Sequence, residues 1–212
     1  MKDFPIFTTE NGIASLTLKE IPLRQEAYIK IQSSLEPKAL LEECVSFCRV
    51  CGAERVYGSG DSVVEKYPLH TAILQMRCIK EALGETDACL FPVLPETLAD
   101  WLSIYNKRMA EVPNAASMSS RDGEDMLKKG DGYFIHRGGE LLGIGRASDG
   151  KIDTVIATQK GAGKDVLLAL ATVLTEDAVT VEVASANLPA VKLYEKLGFA
   201  AISELSRWYK II

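Results

Sequence analysis

Asn187-Leu188-Pro189-Ala190-Val191-Lys192-Leu193-Tyr194-Glu195-Lys196-Leu197-Gly198-Phe199 is the stretch on which the fold of this chain turns. It places an asparagine at the start of a helix, a tyrosine two turns along, and Gly-Phe where the helix stops. Immediately before it, Val179-Thr180-Val181-Glu182-Val183 reads as a strand. Further back, Ile152 to Ala157 reads as another strand, and Gly161-Ala162-Gly163 opens a second helix. Strand, glycine loop, helix, strand and helix are together the parts for holding a long phosphorylated ligand and protonating something at its end.

Thr158-Gln159-Lys160-Gly161-Ala162-Gly163-Lys164 spans the turn from strand to helix. Glycines let a backbone approach a ligand closely, and the free amides of a helix N-terminus favour an anion such as pyrophosphate. The loop is not a P-loop: Asp165 follows Gly163-Lys164 where Ser or Thr is required, and Thr158 stands where the first glycine belongs. It is not a dinucleotide fingerprint either, because only two of the three glycines are present.

The bulk properties are those of an ordinary globular protein. The chain has 212 residues, of which 47% are apolar and 25% charged, enough to bury a real core in one large domain or two small ones. A net charge of −5, with no basic block, argues against nucleic acid or an anionic membrane as the main partner. The start, Met1-Lys2-Asp3-Phe4-Pro5, has no apolar signal region, and no uninterrupted apolar run is long enough to span a bilayer. The expected location is the cytoplasm. Five cysteines, three of them close together, do not make a secreted disulfide framework.

Working back from the decisive stretch, Asp149-Gly150 is a turn, and Tyr133 to Arg137, Gly138-Gly139 and Leu141 to Arg146 read as a hairpin. Asp122 to Lys128 reads as a short helix behind a polar loop at 112–120. Glu96 to Met109 reads as a helix with Leu98, Trp101, Leu102 and Tyr105 on one side. Leu90 to Val93 reads as a strand, and Leu83 to Asp87 as a boundary. The division expected is a smaller α/β domain at 1–85 and a second domain at 86–212. Within 1–85, residues 12–32 are strand-like around a Pro22 turn. Leu40, Leu41, Cys44, Val45, Cys48 and Cys51 form a helical stripe between Pro37 and Gly52. Arg55-Val56-Tyr57 follows as a strand, then a loop at 58–62, a helix-like stretch, and a strand from His70 to Arg77, making a βαβ-type unit. Cys51 to Ser59 echoes Asp177 to Ser185, so the first domain reads as a degenerate half of the same fold.

Over about residues 90–212 the order of elements, the glycine loop and the Asn187…Leu193-Tyr194…Gly198-Phe199 run resemble the GNAT acyltransferase superfamily. The resemblance implies an α/β fold with a mixed, mainly antiparallel sheet flanked by helices. It implies that the amides of Lys160, Gly161, Ala162, Gly163 and Lys164 hold the pyrophosphate of acetyl-CoA. The backbone of Val155, Ile156 and Ala157 would pair with the pantetheine arm, Asn187 would contact the cofactor, and Tyr194 would lie near the thioester sulfur. The family carries Arg or Gln three residues before the first loop glycine. Here Thr158 holds that place, and Gln159, two before, is the residue that would take the role.

The activity implied is N-acetyl transfer from acetyl-CoA to an amine by direct attack. A phenol is protonated at neutral pH and suits the acid that serves the departing thiolate; Tyr194 is that acid. The backbone amide near Ile156 is placed to polarise the carbonyl. Asp153 and Glu182, on neighbouring strands, are the candidates for the base. Tyr105, Arg108, Arg121 and Asp122 are candidates for the acceptor side. The acceptor expected is a small molecule or a peptide amine, and the first domain is a place for homodimerisation. A different class, a non-catalytic acyl-CoA-binding or regulatory module, is motivated by the altered Thr158-Gln159 register and by the absence of an obvious base.

Cys44-x3-Cys48-x2-Cys51 also has the spacing of a radical-SAM iron–sulfur loop, with Gly138-Gly139-Glu140 as a companion triplet. The cysteines share a stripe with Leu40, Leu41 and Val45, however, and Gly138-Gly139 sits where a hairpin turn needs glycine. No metal site is expected, and His70 and His136, both in apolar strand contexts, read as structural.

Overall fold

A computed structural model of the chain describes residues 5–212; Met1 to Phe4, where a signal segment would begin, lie outside the described residues. Contacts divide the chain into two compact units: residues up to Ile73 together with Leu205–Ile212, and Leu74–Glu204. The division therefore falls inside a strand rather than at 85/86, and the C-terminal residues belong to the first unit.

In chain order the elements are β1 (Ile6–Thr9), β2 (Gly12–Thr17), α1 (Ile21–Arg24), β3 (Glu26–Ser34), α2 (Pro37–Val50), β4 (Arg55–Ser59), β5 (Leu69–Ile79), β6 (Cys89–Pro92), α3 (Leu98–Met109), α4 (Ser120–Lys129), β7 (Gly132–Arg137), β8 (Glu140–Ser148), β9 (Lys151–Ala157), α5 (Gly163–Thr172), β10 (Ala178–Ala184), α6 (Leu188–Lys196) and β11 (Ala200–Lys210). The Pro22 turn is the short helix α1, and the helix-like stretch before β5 is a 3-10 segment at Ser62–Lys66. No helix among the described residues is long and apolar enough to cross a membrane.

In the first unit, β1, β2 and β3 form an antiparallel meander, α2 follows, and β4 returns parallel to β3. Helix α2 begins at Pro37, where a missing N–H costs nothing, and ends before Gly52 at φ 96°. Its stripe of Leu40, Leu41, Cys44 and Cys48 is buried against Ala14, Leu16, Ala27, Ile29, Ile31 and Val56. Strand alternation sends Glu26 and Tyr28 to the opposite face. There the Tyr28 hydroxyl donates to Glu26 at 2.9 Å, and Arg24 and Arg55 both reach that carboxylate at 3.4 Å.

The second unit repeats this order. Strands β6, β7, β8 and β9 are successively antiparallel, α5 follows, and β10 returns parallel to β9. Val166 to Ala171 of α5 are all buried, so this helix is apolar nearly all round. Two glycines of β8 let it lie directly on the sheet. A Cβ at Gly143 would stand 2.2 Å from the Ile156 carbonyl oxygen and 2.6 Å from Val166; one at Gly145 would stand 2.3 Å from Leu170. A second core forms around Trp101 of α3 and Met126 of α4, with Val93, Ile144 and Ile156. The Trp101 indole N–H donates to the Tyr133 carbonyl at 3.1 Å, which satisfies the one polar atom of a fully buried ring. Helix α4 starts at a Ser119/Asp122 capping box and stops at Gly130.

Because the clash at Gly143 is with backbone as well as with α5, Gly143→Ala is expected to lower unfolding stability by about 2 kcal/mol. Urea denaturation checks this; an unchanged midpoint would mean that the helix is not seated on β8 as described.

Candidate active site

Parallel pairing of β9 with β10 covers only Lys151 with Thr180 and Ile152 with Val181. One residue later the β8–β9 register shifts. Arg146 pairs with Thr154 and Ala147 with Ile152, so Asp153 is left opposite nothing. An extra residue of this kind bends its strand and increases local twist. The bend coincides with the end of the β9–β10 register. From Thr154 to Ala157, β9 is registered on β8 alone. Val155, Ile156 and Ala157 therefore carry a strand edge with backbone donors and acceptors free for an extended partner.

The glycine loop stands at the end of that edge. Gly161 takes φ 89°, a left-handed value that glycine adopts freely, with open space where a Cβ would be. The first hydrogen bond of α5 runs from the Val166 N–H to the Ala162 carbonyl at 3.0 Å. The N–H groups of Gly163, Lys164 and Asp165 thus have no acceptor within the helix. Ala162 at the N-cap offers no capping side chain, whereas α4 and α6 are capped by Ser119 and Asn187. Lys160 and Lys164 are exposed on either side. The Gln159 side chain is engaged elsewhere: its Nε2 donates to the Leu141 carbonyl at 3.1 Å, which also accepts from the Thr158 hydroxyl at 2.9 Å. Arg108, at the end of α3, donates to the Thr158 carbonyl at 3.1 Å.

Gly163 joins this loop to the helix of Tyr194. A Cβ there would stand 3.1 Å from Cδ2 of Leu193, so a bare Cα lets α5 come against α6. Asn187 is the N-cap of α6, its Oδ1 accepting from the Ala190 N–H at 3.4 Å. The tyrosine ring is buried, 7% exposed, with its centroid 5.7 Å from that of Phe199. Its hydroxyl makes no hydrogen bond among the described residues. Burial pushes the Tyr194 phenol up to about 12.

Asp153 and Glu182 are brought together, but on a cation. Lys151 reaches Asp153 at 3.0 Å and Glu182 at 2.8 Å. Burial alone would lower the Lys151 ammonium; its hydrogen bonds to Glu182 and Asp153 outweigh that and raise it. Neither carboxylate bonds to Tyr194. On the acceptor side, the Tyr105 ring stacks on Trp101 at 5.4 Å and its hydroxyl donates to the Ala116 carbonyl. Asp122 closes the cap of α4, and Arg121 is exposed on the same helix.

No protein-family model matches the sequence, and no curated protein does. Solved structures match at the level of fold. A putative acetyltransferase from Pyrococcus horikoshii matches at TM-score 0.61 and 11% identity, over 95% of this chain and 69% of its own. A GCN5-related N-acetyltransferase from Sphaerobacter thermophilus matches at TM-score 0.56 and 12% identity, over 93% and 75%. A tandem GNAT protein from the clavulanic acid biosynthesis pathway matches at TM-score 0.50 and 12% identity, over 94% and 78%. The chain has the fold of the GCN5-related N-acetyltransferases. At these identities the likeness is one of fold.

Within this GNAT fold the cysteine triplet lies on and just past α2. Cys44 and Cys48 are fully buried, and Cys51 is exposed at the helix end. Burial pushes their thiols up, to about 11 for Cys44 and about 12 for Cys48, the reverse of what a metal-ligating thiolate needs. Gly138-Gly139, at φ 57° and 85°, is the two-residue turn joining β7 to β8. His70 stacks on Tyr57 at 4.2 Å and is lowered by burial, and His136 lies against Phe91 and Phe134. Three features escaped the sequence: the Asp153 bulge, the Arg108 contact to the loop, and an ion cluster of Asp165, Arg137 and Asp87.

A phenol raised by burial stays protonated further into alkali. Its contribution to stability is complete below the unfolded value near 10 and is lost as pH rises through about 12. At pH 11 the absorbance difference between wild type and Tyr194→Phe should therefore show about a tenth of one phenolate in the folded protein and about nine-tenths in denaturant. A midpoint near 10 in the folded protein would contradict the burial of Tyr194.

Proposed function

We propose that the second unit binds an acyl-CoA, with acetyl-CoA as the expected donor, and transfers its acyl group to an amine. The observation that carries this reading is the parting of β9 from β10 at Asp153, beside a helix N-terminus that has no cap of its own. The free edge at Val155, Ile156 and Ala157 fits the amides of a pantetheine arm, and the amides of Lys160, Gly161, Gly163 and Lys164 fit a diphosphate, that of Ala162 donating to the Gln159 carbonyl at 3.3 Å. Asn187 uses Oδ1 as a cap, so Nδ2 is the atom left to contact the ligand.

Acetyl-CoA supplies an activated thioester. This chain orients it along β9, and an N–H near Ile156 polarises its carbonyl. Tyr194 holds a proton on its hydroxyl at neutral pH and delivers it to the leaving sulfur. With Asp153 and Glu182 both engaged by Lys151, the amine's proton leaves through water. The acceptor is a small-molecule or peptide amine.

The same site without turnover, an acyl-CoA-binding module, is favoured by that engagement of both carboxylates. Neither reading assigns a second site to the described residues of the first unit. There β3 and β4 stay registered from Glu26↔Arg55 to Lys30↔Ser59, and α2 opens on Glu36-Pro37 instead of glycines.

Calorimetry with acetyl-CoA is expected to give one site per chain. No binding at high micromolar ligand would sink both readings. Given binding, an amine panel should show turnover that falls about a hundredfold in Tyr194→Phe with little change in affinity. Turnover unaffected by that change removes Tyr194 as the acid, and no turnover with any amine favours the binding module.

A further inference from the structure

Asp165 is the third residue of α5, inside the first turn of the helix proposed to hold diphosphate. A carboxylate there satisfies the helix dipole by itself and repels a phosphate brought to the same amides. It is not left alone. Arg137, the last residue of β7, reaches Asp165 at 2.8 Å and Asp87 at 2.5 Å. The Thr86 hydroxyl donates to Asp165 at 3.2 Å and accepts from Arg137 at 3.3 Å. Three segments of the second unit thus meet at one guanidinium beside the first turn of α5.

We infer that Arg137 balances the charge of Asp165 so that the start of α5 presents its amides, and not a carboxylate, to the diphosphate of the ligand. This rests on the acyl-CoA reading above. Arg137 is a positioning residue, since it acts on the ligand through Asp165 and through the field at the loop. The pair also explains why an aspartate is tolerated two residues after Gly163: it anchors the helix start to the 86–87 segment, and the arginine, shared with Asp87, offsets its charge.

The test is calorimetric titration of Arg137→Ala, Asp165→Asn and the double variant with CoA and with 3′-dephospho-CoA, which keeps the diphosphate. Removing the arginine should weaken CoA binding about tenfold, the scale of one unit charge acting on a doubly charged group near a surface. Asp165→Asn should bind no more weakly than wild type. The double variant should return to within about twofold of wild type, and 3′-dephospho-CoA should show the same pattern. A clasp that serves only as structure would weaken binding in all three variants. That result overturns the inference, as does unchanged affinity in Arg137→Ala or an effect absent with 3′-dephospho-CoA. Should Arg137→Ala not fold, Asp165→Asn decides alone, because weakened binding there contradicts charge balance. Wild-type protein that fails to bind CoA removes the acyl-CoA reading and this inference with it, an outcome distinct from all the others.

Discussion

Everything proposed for the second unit depends on one unpaired residue in a strand. A parallel pair of strands with a helix between them ordinarily zips along its length, because every registered residue satisfies backbone groups that would otherwise face water. Between β9 and β10 the register stops after Ile152 and Val181, and the next residue of β9 is the bulge at Asp153. The bend keeps β9 on β8 while β10 runs on. It converts what would be closed sheet into an edge from Thr154 to Ala157. Asp153, a candidate base by its strand position, instead acts locally. Its carboxylate joins Glu182 on Lys151, at the last point where the two strands are still together.

The first unit is a control supplied by the same chain. It has the same order of antiparallel strands, a helix and a returning parallel strand, with three antiparallel strands against four and a parallel strand of five residues against seven. Its parallel register runs through five consecutive pairs, from Glu26↔Arg55 to Lys30↔Ser59, and the extra residue that β3 carries against β2, Gln32, falls beyond them, whereas in the second unit the extra residue comes after only two pairs. Stacked Tyr28 and Tyr57, with centroids 5.2 Å apart, face each other across that closed seam. Its helix opens on a carboxylate and a proline where the second unit has glycines. On the proposed reading, ligand capacity would depend on the seam and the helix start together. Both differ between the units, while the fold persists.

Much of this was legible in residue order. Helix α6 with its Gly198 stop, the turn at Gly138-Gly139 and the helical stripe of Cys44 and Cys48 each rest on local chemistry, and local chemistry is what a sequence displays. The parallel order β9-α5-β10 followed from the alternation of elements. The bulge did not, because Asp153 is an extra residue only relative to its partners on β8. Arg137 and Asp165 lie far apart in the chain and meet through the antiparallel hairpin. The division of units at Ile73 escaped for a related reason: β5 and β11 each run through both units, so no loop marks the boundary. Gln159 shows the converse limit. Its type suits a ligand contact, yet the carbonyl of Leu141 takes its amide.

In the proposed reaction Tyr194 would join an acid's chemistry to a core residue's environment, and the two have one cause. The ring packs with Phe199 under α6, and this burial raises the phenol to about 12 by making its anion costly. A phenol so raised is a reliable proton store but a reluctant donor. It gives its proton up only to a base stronger than a solvated thiolate at rest, or to one whose negative charge is itself poorly solvated. In the proposed transfer, a thioester sulfur leaving beside so buried a ring would meet the second condition. The same desolvation would then drive quick reprotonation, returning Tyr194 to the neutral phenol without a dedicated carboxylate. On the proposed reading, having no carboxylate bonded to Tyr194 among the described residues suits the transfer, because an anion held there would hold the proton on the phenol, as Glu26 does for Tyr28, and would repel the departing thiolate.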